Sequence, residues 1–572
     1  MNVIAERTGS ASRPLSPRAG AGERPVLGDD LLAARRRTAT LVGVATLVAA
    51  VGLFVALIVR ADGGSFTYAI DDPYIHLTIA RNLATTGTYG IVPGVYESAS
   101  SSPGWVVLLA ALIRVAPAAA VWLPLALNLL AAAAVLLLVI RSQSFLFRLE
   151  SPLLRGLAYA LLPLAMFLPG LVLVGMEHSL HALLVVGLLL LLARALQRPL
   201  SGRELAATAG LSLLAGSVRY ETLFLAGGAA MALLLAAGAP GGEAARGVVG
   251  RAVARLRRRE VWAFFVPPLL VTAVLAAINL HNGQYALPNS VLAKSGLGAG
   301  QGLAGWVPSL GGIWGTLTED LLASGLLLIG LAYLALRRLS GPQSGLWLAW
   351  TLMAGLHVLY AKFGWFDRYQ GYIVASGMLL TLRSLPELQL RRGPAHLRTT
   401  LAAVVLLVAL PGFKFSLEAQ IPTYAQLIHQ HQDAMGQFFA AEYAGQTIMV
   451  NDIGEVSWQH RGGLDDLWAL GSYDILRAYR TGAMGPAFVG RLAARDHVQV
   501  VAVWGALRND IPAQFVEVAR WSTSGTGRPD ADNDVVFYAP GPAQAATLRL
   551  RMQAFASSLP AGVQVLWVGG AA

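Results

Sequence analysis

Apolar residues along this chain fall in long unbroken runs. The first, Thr38 to Val59, is about 22 residues long, enough to cross roughly 30 Å of hydrocarbon. Further runs extend over about Ala118–Ile140, Pro152–Val174, the residues up to Leu192, Glu204–Val218, Thr222–Ala237, Val261–Leu280, Gly345–Tyr360 and Thr399–Pro411. Two more end at Arg337 and Arg383. The pattern predicts a polytopic α-helical membrane protein with about eleven transmembrane helices over residues 38–411. Arginines mark alternate connections: Arg35–Arg37, Arg141 with Arg148, Arg194–Arg203, the dense group from Arg246 to Arg259, Arg337 with Arg338, and Arg391–Arg398. Positive connections stay inside. The N-terminal tail (1–37) is therefore expected to be disordered and cytoplasmic, and the first outer loop spans residues 60–117. The first run has no small-residue cleavage site and reads as an uncleaved anchor.

The pattern changes near residue 412. Short β-branched runs at Thr447–Val450, Val498–Val503, Phe515–Ala519, Val535–Tyr538 and Val563–Val568 are separated by helical stretches such as Thr423–Phe439. That alternation predicts a C-terminal α/β domain over 412–572, on the extracytoplasmic (periplasmic) side by the arginine count.

Composition supports the membrane class. Of 572 residues, 55% are hydrophobic and 13% charged, against about a quarter charged in a soluble protein. The net charge of +11 is almost all arginine between apolar runs, with lysine only at 294, 362 and 414, so topology accounts for it and no nucleic-acid partner is implied. With no cysteine, disulfides, thiolate metal sites and cysteine nucleophiles are excluded together.

Candidate chemistry gathers in the outer loops. In the first, Asp71 and Asp72 precede Pro73, which opens a helical pattern with Ile75, Ile79 and Leu83 on one face. Such a helix is expected to lie along the membrane surface, followed by a second interfacial or re-entrant helix at Pro103–Val115. Asp72 reads equally as an N-cap ahead of proline, which leaves Asp71 the freer carboxylate. Four further outer turns carry mixed charges: Glu177, His178 and His181; Arg219 with Glu221; Asn289 to Lys294; and Asp367, Arg368 and Tyr369. Charges at the mouths of membrane helices commonly line a cavity. Each group has a plainer reading: local ion pairs for Arg219–Glu221 and Asp367–Arg368, a snorkelling Lys294, and two histidines at helical spacing that lack a third metal ligand.

In order, these segments resemble the C-type membrane glycosyltransferases (GT-C), which use polyprenyl-phosphate sugars. They are most similar to the branch containing the mycobacterial terminal arabinofuranosyltransferase. The matching stretches are DDPYIHLTIARNLA, YESASSSPGW, GMEHSLHALL, SVRYETLFL, LPNSVLAKSG and GWFDRYQGY, followed by NDIGEVSW and LDDLWALGSYD in the outer domain. Ser101 stands where that branch has threonine, and the last segment reads Leu-Trp-Ala-Leu-Gly instead of Asp-Leu-Val-Gly-Leu. The Trp-Trp-Asp motif of oligosaccharyltransferases is absent, which argues against en bloc transfer to asparagine.

The resemblance implies an inverting transfer of one sugar at the outer face of a bacterial cytoplasmic membrane, to a glycan, lipid or protein acceptor. It implies Asp71 as general base, with Asp72 orienting it or the acceptor. Arg219, Lys294 and Arg368 would hold the phosphate, and Glu177, His178, Glu221, Asn289 and Tyr369 would complete the substrate site. No cofactor follows from it, and a divalent metal stays open. The rival is a transporter or flippase for a polar lipid, which calls for charges on broken helices near the midplane, often with an internal repeat. A binding module on a membrane anchor would not need so many spans.

Overall fold

The computed structural model describes residues 29–143, 146–148, 151–235, 255–295, 309–337, 341–361, 363–388, 418–523 and 534–568. The expected span Thr399–Pro411, Lys362, Arg246 and Arg251 lie outside the described residues.

The first helix, α1 (Asp29–Ala61), begins before Thr38, so residues 29–37 are helical where a disordered tail was expected. Then come α2 (Asp72–Thr86), α3 (Pro103–Val115), α4 (Leu123–Ser142), α5 (Pro152–Ala165), α6 (Leu168–Leu173), α7 (His178–Ala195), α8 (Gly202–Val218) and α9 (Thr222–Leu235). A capping box starts α8: Ser201 accepts from the Glu204 amide and Glu204 reaches back to the Ser201 amide. Next are α10 (Arg259–His281), α11 (Asn289–Ser295), α12 (Leu310–Glu319), α13 (Leu321–Arg337), α14 (Pro342–Tyr360) and α15 (Gly371–Leu388).

Asp30–Ala61, Pro117–Ser142, Pro152–Leu173, His178–Ala195 and Arg259–His281 are each long and apolar enough to cross a bilayer, and the chain is a multi-pass membrane protein. Two of the anticipated spans are interrupted. Between α5 and α6 the chain passes through Phe167 at φ 55°, just after Pro163 inside α5. Between α12 and α13 it turns by 107° at Asp320, whose carboxylate accepts from the Leu322 and Ala323 amides and so starts α13 afresh.

The C-terminal part opens with α16 (Ile421–Ile428), a π-helical turn (His429–Asp433) and α17 (Ala434–Glu442). It continues β1 (Ile448–Val450), α18 (Gly454–Gln459), β2 (Leu464–Asp466), α19 (Tyr473–Thr481), α20 (Pro486–Arg495), β3 (Val500–Trp504), β4 (Val516–Thr523), β5 (Val535–Ala539), α21 (Pro542–Phe555) and β6 (Val563–Trp567). The six strands form one mixed sheet, in order β2-β1-β3-β5-β4-β6. β1 runs parallel to β2 and β3, and the remaining pairs are antiparallel. The five strands anticipated are present. β2 was not, because Leu-Asp-Asp carries no strand signal of its own.

One packing feature positions the site. α2 does not lie exposed along a membrane surface: Pro73 to Ala80 are all buried, and so is Asn82. Tyr74, Ile75, Ile79 and Trp105 belong to one apolar cluster with Phe438, Val500 and Trp521 of the C-terminal domain. Each such side chain contributes roughly 1.5–3 kcal/mol when fully buried. The first outer loop and the C-terminal sheet thus share a core, and α2 is held between α3 and α18.

Candidate active site

Asp71 is the N-cap residue of α2, in helical conformation, and makes no side-chain cap bond. Asp72 is already inside the helix. Neither carboxylate is used on its own helix, which removes the plain capping reading of Asp72.

Asp72 is held by two cations from distant segments. Its Oδ1 accepts from Lys294 Nζ at 2.7 Å and its Oδ2 from Arg368 Nη2 at 2.8 Å. Burial pushes the Asp72 carboxyl up, but Arg368 and then Lys294 outweigh it and hold it well below the usual range. Asp72 is therefore anionic at neutral pH and a poor proton acceptor.

Asp71 points the other way. Its Oδ2 accepts from the Gly454 amide at 2.6 Å and its Oδ1 from the Glu455 amide at 2.8 Å, both in the C-terminal domain. Burial drives its carboxyl up to about 8, the nearby Asp452 adds to this, and the two amide bonds oppose it. Burial raises Asp452 too. Asp452 accepts from Gln432 Nε2 at 2.8 Å and from the Trp504 indole. Two acids in one buried place do not ionise together easily, so the pair favours retaining a proton.

The second charge cluster joins the first through an aromatic ring. Glu177 is fully buried at the tight turn before α7, where Gly175 takes φ 66° against the ring of Tyr68. Its Oε1 accepts from Arg219 Nη1 at 2.8 Å, while Arg219 also grips Glu221 through two nitrogens. His76 Nδ1 faces Glu177 Oε2 at 3.6 Å. The Tyr369 ring lies 5.7 Å from the Arg219 guanidinium and 4.8 Å from that of Arg368, and its hydroxyl accepts from Arg368 Nη2 at 2.9 Å. Burial would raise the Tyr369 phenol, but Arg368 and Lys294 outweigh it and lower it. His178 meets the same ring edge-on.

The turn delivering Arg368 is strained: Trp365, Phe366 and Asp367 take φ of 48°, 60° and 54°. Arg368 Nε and Nη1 and both ring nitrogens of His178 are buried without a hydrogen-bond partner. Unspent buried donors beside paired cations suit an anionic ligand.

Asn289 plays a different part. Its Nδ2 donates to Glu97 Oε2 at 3.1 Å and its amide to the Ser98 carbonyl at 3.0 Å. Glu97 also accepts from Gln284 Nε2 at 2.9 Å, and burial pushes its carboxyl up to about 7. This knot ties the first outer loop to the segment carrying Lys294, and Asn289 sits in it instead of in the charge cluster. His181 is engaged with Thr222 Oγ1 at 3.1 Å. Among the described residues no three His, Asp or Glu side chains converge as metal ligands.

Asp72, Glu177, His178, Arg219, Glu221, Lys294, Arg368 and Tyr369 thus come together, with Asp71 one residue away. Four participants were not singled out from the sequence: His76, Glu97, Asp452 and Glu455. Glu97 lies in the quoted YESASSSPGW, and Asp452 and Glu455 in NDIGEVSW, so the motifs carried a signal that single-residue reasoning did not use.

A family model described as a domain of unknown function (DUF8728) matches residues 422–538. No curated protein matches the chain. Among solved structures, the oligosaccharyltransferase AglB of Archaeoglobus fulgidus, in complex with an inhibitory peptide and a dolichol-phosphate, is similar at 14% identity. That match covers 92% of this chain and 76% of that one, with a TM-score of 0.43. ArnT from Cupriavidus metallidurans, bound to undecaprenyl phosphate, is similar at 11% identity over 87% of this chain and 98% of that one, with a TM-score of 0.45. At such identities and scores these likenesses carry no weight for activity.

Proposed function

We propose that the chain is a membrane glycosyltransferase of GT-C type, moving a single sugar from a polyprenyl phosphate to a hydroxyl of a cell-envelope acceptor. The observation that carries this reading is the fused cluster of Asp72, Lys294, Arg368, Tyr369, Arg219 and Glu177, with unspent donors on Arg368 and, one residue before Asp72 in the chain, a carboxyl of raised pKa at Asp71. The arabinofuranosyltransferase-like motifs favour a pentofuranosyl donor. The arginine pattern favours a bacterial cytoplasmic membrane, with the N-terminus inside and the C-terminal domain outside.

In this reading Arg368, Lys294 and Arg219 bind the donor phosphate and stabilise the charge that grows on it. Asp72 holds Lys294 and Arg368 in place until the phosphate arrives. Asp71 takes the proton of the acceptor hydroxyl; although both its oxygens already accept amide bonds, each keeps a second lone pair. The acceptor oxygen bonds to the anomeric carbon, the carbon–phosphate oxygen bond breaks, and its electron pair leaves with the polyprenyl phosphate. One displacement inverts the anomeric centre. Glu177, His178 and Glu221 border the place left for the sugar, and Asn289 acts by positioning Lys294.

The transporter reading would need the charges on broken helices at the membrane midplane. The cluster residues sit instead in loops and at helix ends. The test is Asp71→Asn in native membranes with polyprenyl-phosphoarabinose. Loss of about 10²–10⁴ in transfer rate with lipid binding retained supports Asp71 as base. Undiminished transfer removes it.

A further inference from the structure

A cavity separate from the cation cluster opens at the seam between the first outer loop and the C-terminal domain. Its volume is about 210 Å³, and its walls include Phe66, Tyr74, Asp433, Gln437, Glu455 and Trp458. It shares a wall with the candidate base: the amide of Glu455 bonds Asp71 Oδ1, and Tyr74 stands in the first turn of α2. We propose that this cavity is the subsite for a sugar residue of the acceptor. The proposal rests on the glycosyltransferase reading and extends it to the acceptor's chemistry.

Three observations carry the assignment. The size lies below the roughly 300–1,000 Å³ of pockets for drug-sized ligands, which leaves room for one monosaccharide and little more. The walls combine aromatic faces, which cover the C–H faces of a sugar, with forked acids and amides, which match neighbouring hydroxyls.

Third, the polar walls are already fixed in place. Asp433 accepts from His429 Nδ1 at 2.6 Å, from Gln437 Nε2 at 3.1 Å and from Gln459 Nε2 at 2.5 Å. Gln459 also reaches Glu455 Oε2 at 3.3 Å, and Glu455 bonds the Tyr74 hydroxyl. Arg81 lies 4.6 Å over the Trp458 ring and donates to its carbonyl, fixing the indole. Burial pushes the Glu455 carboxyl well above its usual range while hydrogen bonds hold Asp433 below it. One wall is thus an acid that burial makes hold its proton more tightly than usual, and the other is a pure acceptor. That pairing suits hydroxyls and disfavours a phosphate or a carboxylate, so the donor headgroup belongs with Arg368 and Lys294 and not here.

The experiment uses the full chain in nanodiscs and saturation-transfer NMR with three probes: methyl α-D-arabinofuranoside, methyl α-D-mannopyranoside and methyl α-D-glucopyranoside. At least one should give saturable binding, weakened by about tenfold or more in Trp458→Leu and in Gln437→Ala, as expected for losing one good contact. Gln437 is exposed, so its truncation keeps the fold and tests the subsite independently of Trp458. Undecaprenyl phosphate binding, measured on the same samples, should not change in either variant. No saturable binding of any probe, or binding equal in wild type and Gln437→Ala, overturns the subsite. Failure of undecaprenyl phosphate to bind wild type overturns the transferase reading instead and leaves the glycoside result to be read separately.

Discussion

Gly454 gives the sharpest handle on the candidate base. A Cβ added there would stand 2.5 Å from Asp71 Cγ and 2.6 Å from Asp71 Oδ1, closer than real Cβ atoms approach other groups. Gly454→Ala must therefore displace either Asp71 or the start of α18. Forcing an extra carbon into packed surroundings costs about 1–3 kcal/mol. The displacement also lengthens the bonds of 2.6 and 2.8 Å from the Gly454 and Glu455 amides. A shift of about 1 Å in a reacting group is worth on the order of 10² in rate.

The direction of the pH effect follows as well. The two amides favour the ionised carboxylate, so weakening them raises Asp71 further above about 8. A base that must be deprotonated then works only at higher pH, and the acid limb of kcat/KM moves upward. The assay is single-turnover transfer in nanodiscs across a pH series. Gly210→Ala serves as control, because a Cβ there meets nothing within 4 Å. A folded Gly454→Ala protein with wild-type rate and an unmoved acid limb would refute the reasoning.

Other expectations concern stability and the cations. Because the folded-state value of Asp71 is raised, its contribution to stability is fully present below the unfolded carboxyl value near 4 and is lost as pH rises through about 8. Thermal unfolding should therefore show a wild-type decline from pH 5 to pH 9 that Asp71→Asn reduces; identical slopes would contradict it. Arg368→Lys keeps the charge but loses the buried Nε and Nη1 donors that Asp72 and Tyr369 leave free, so donor KM should rise about tenfold or more, read from initial rates against polyprenyl-phosphate sugar. An unchanged KM would take Arg368 out of the phosphate site. Glu97→Ala leaves the buried Asn289 amide without its acceptor and strips Gln284 of one of two, and should cost about 1–3 kcal/mol, while Glu97→Gln should cost clearly less. Equal melting temperatures for the two variants would rule out the knot as a structural support.

Some of this molecule is written locally. Long apolar runs become helices because only internal bonding satisfies a backbone in lipid, and that needs no knowledge of neighbours. β3 and β5 were legible for a similar reason, since β-branched runs suit a pleated surface wherever they sit. The outer-loop charges were visible too, because polar groups at helix mouths stand out against an apolar chain.

What the sequence determined by itself was therefore the class of the fold and the roster of charged side chains at the loops. What each of those side chains does was decided only by the tertiary structure. Asp71 and Asp72 are neighbours with nearly identical local context, yet one meets the amides of Gly454 and Glu455 about 383 residues away and the other meets Lys294 and Arg368. That divergence separates a carboxyl pushed up from one held down. α2 looked like a surface helix by its periodicity and is buried because α3 and α18 pack against it. Periodicity and composition report on a few neighbouring residues, while electrostatic environment and burial are set by whatever the rest of the chain brings alongside.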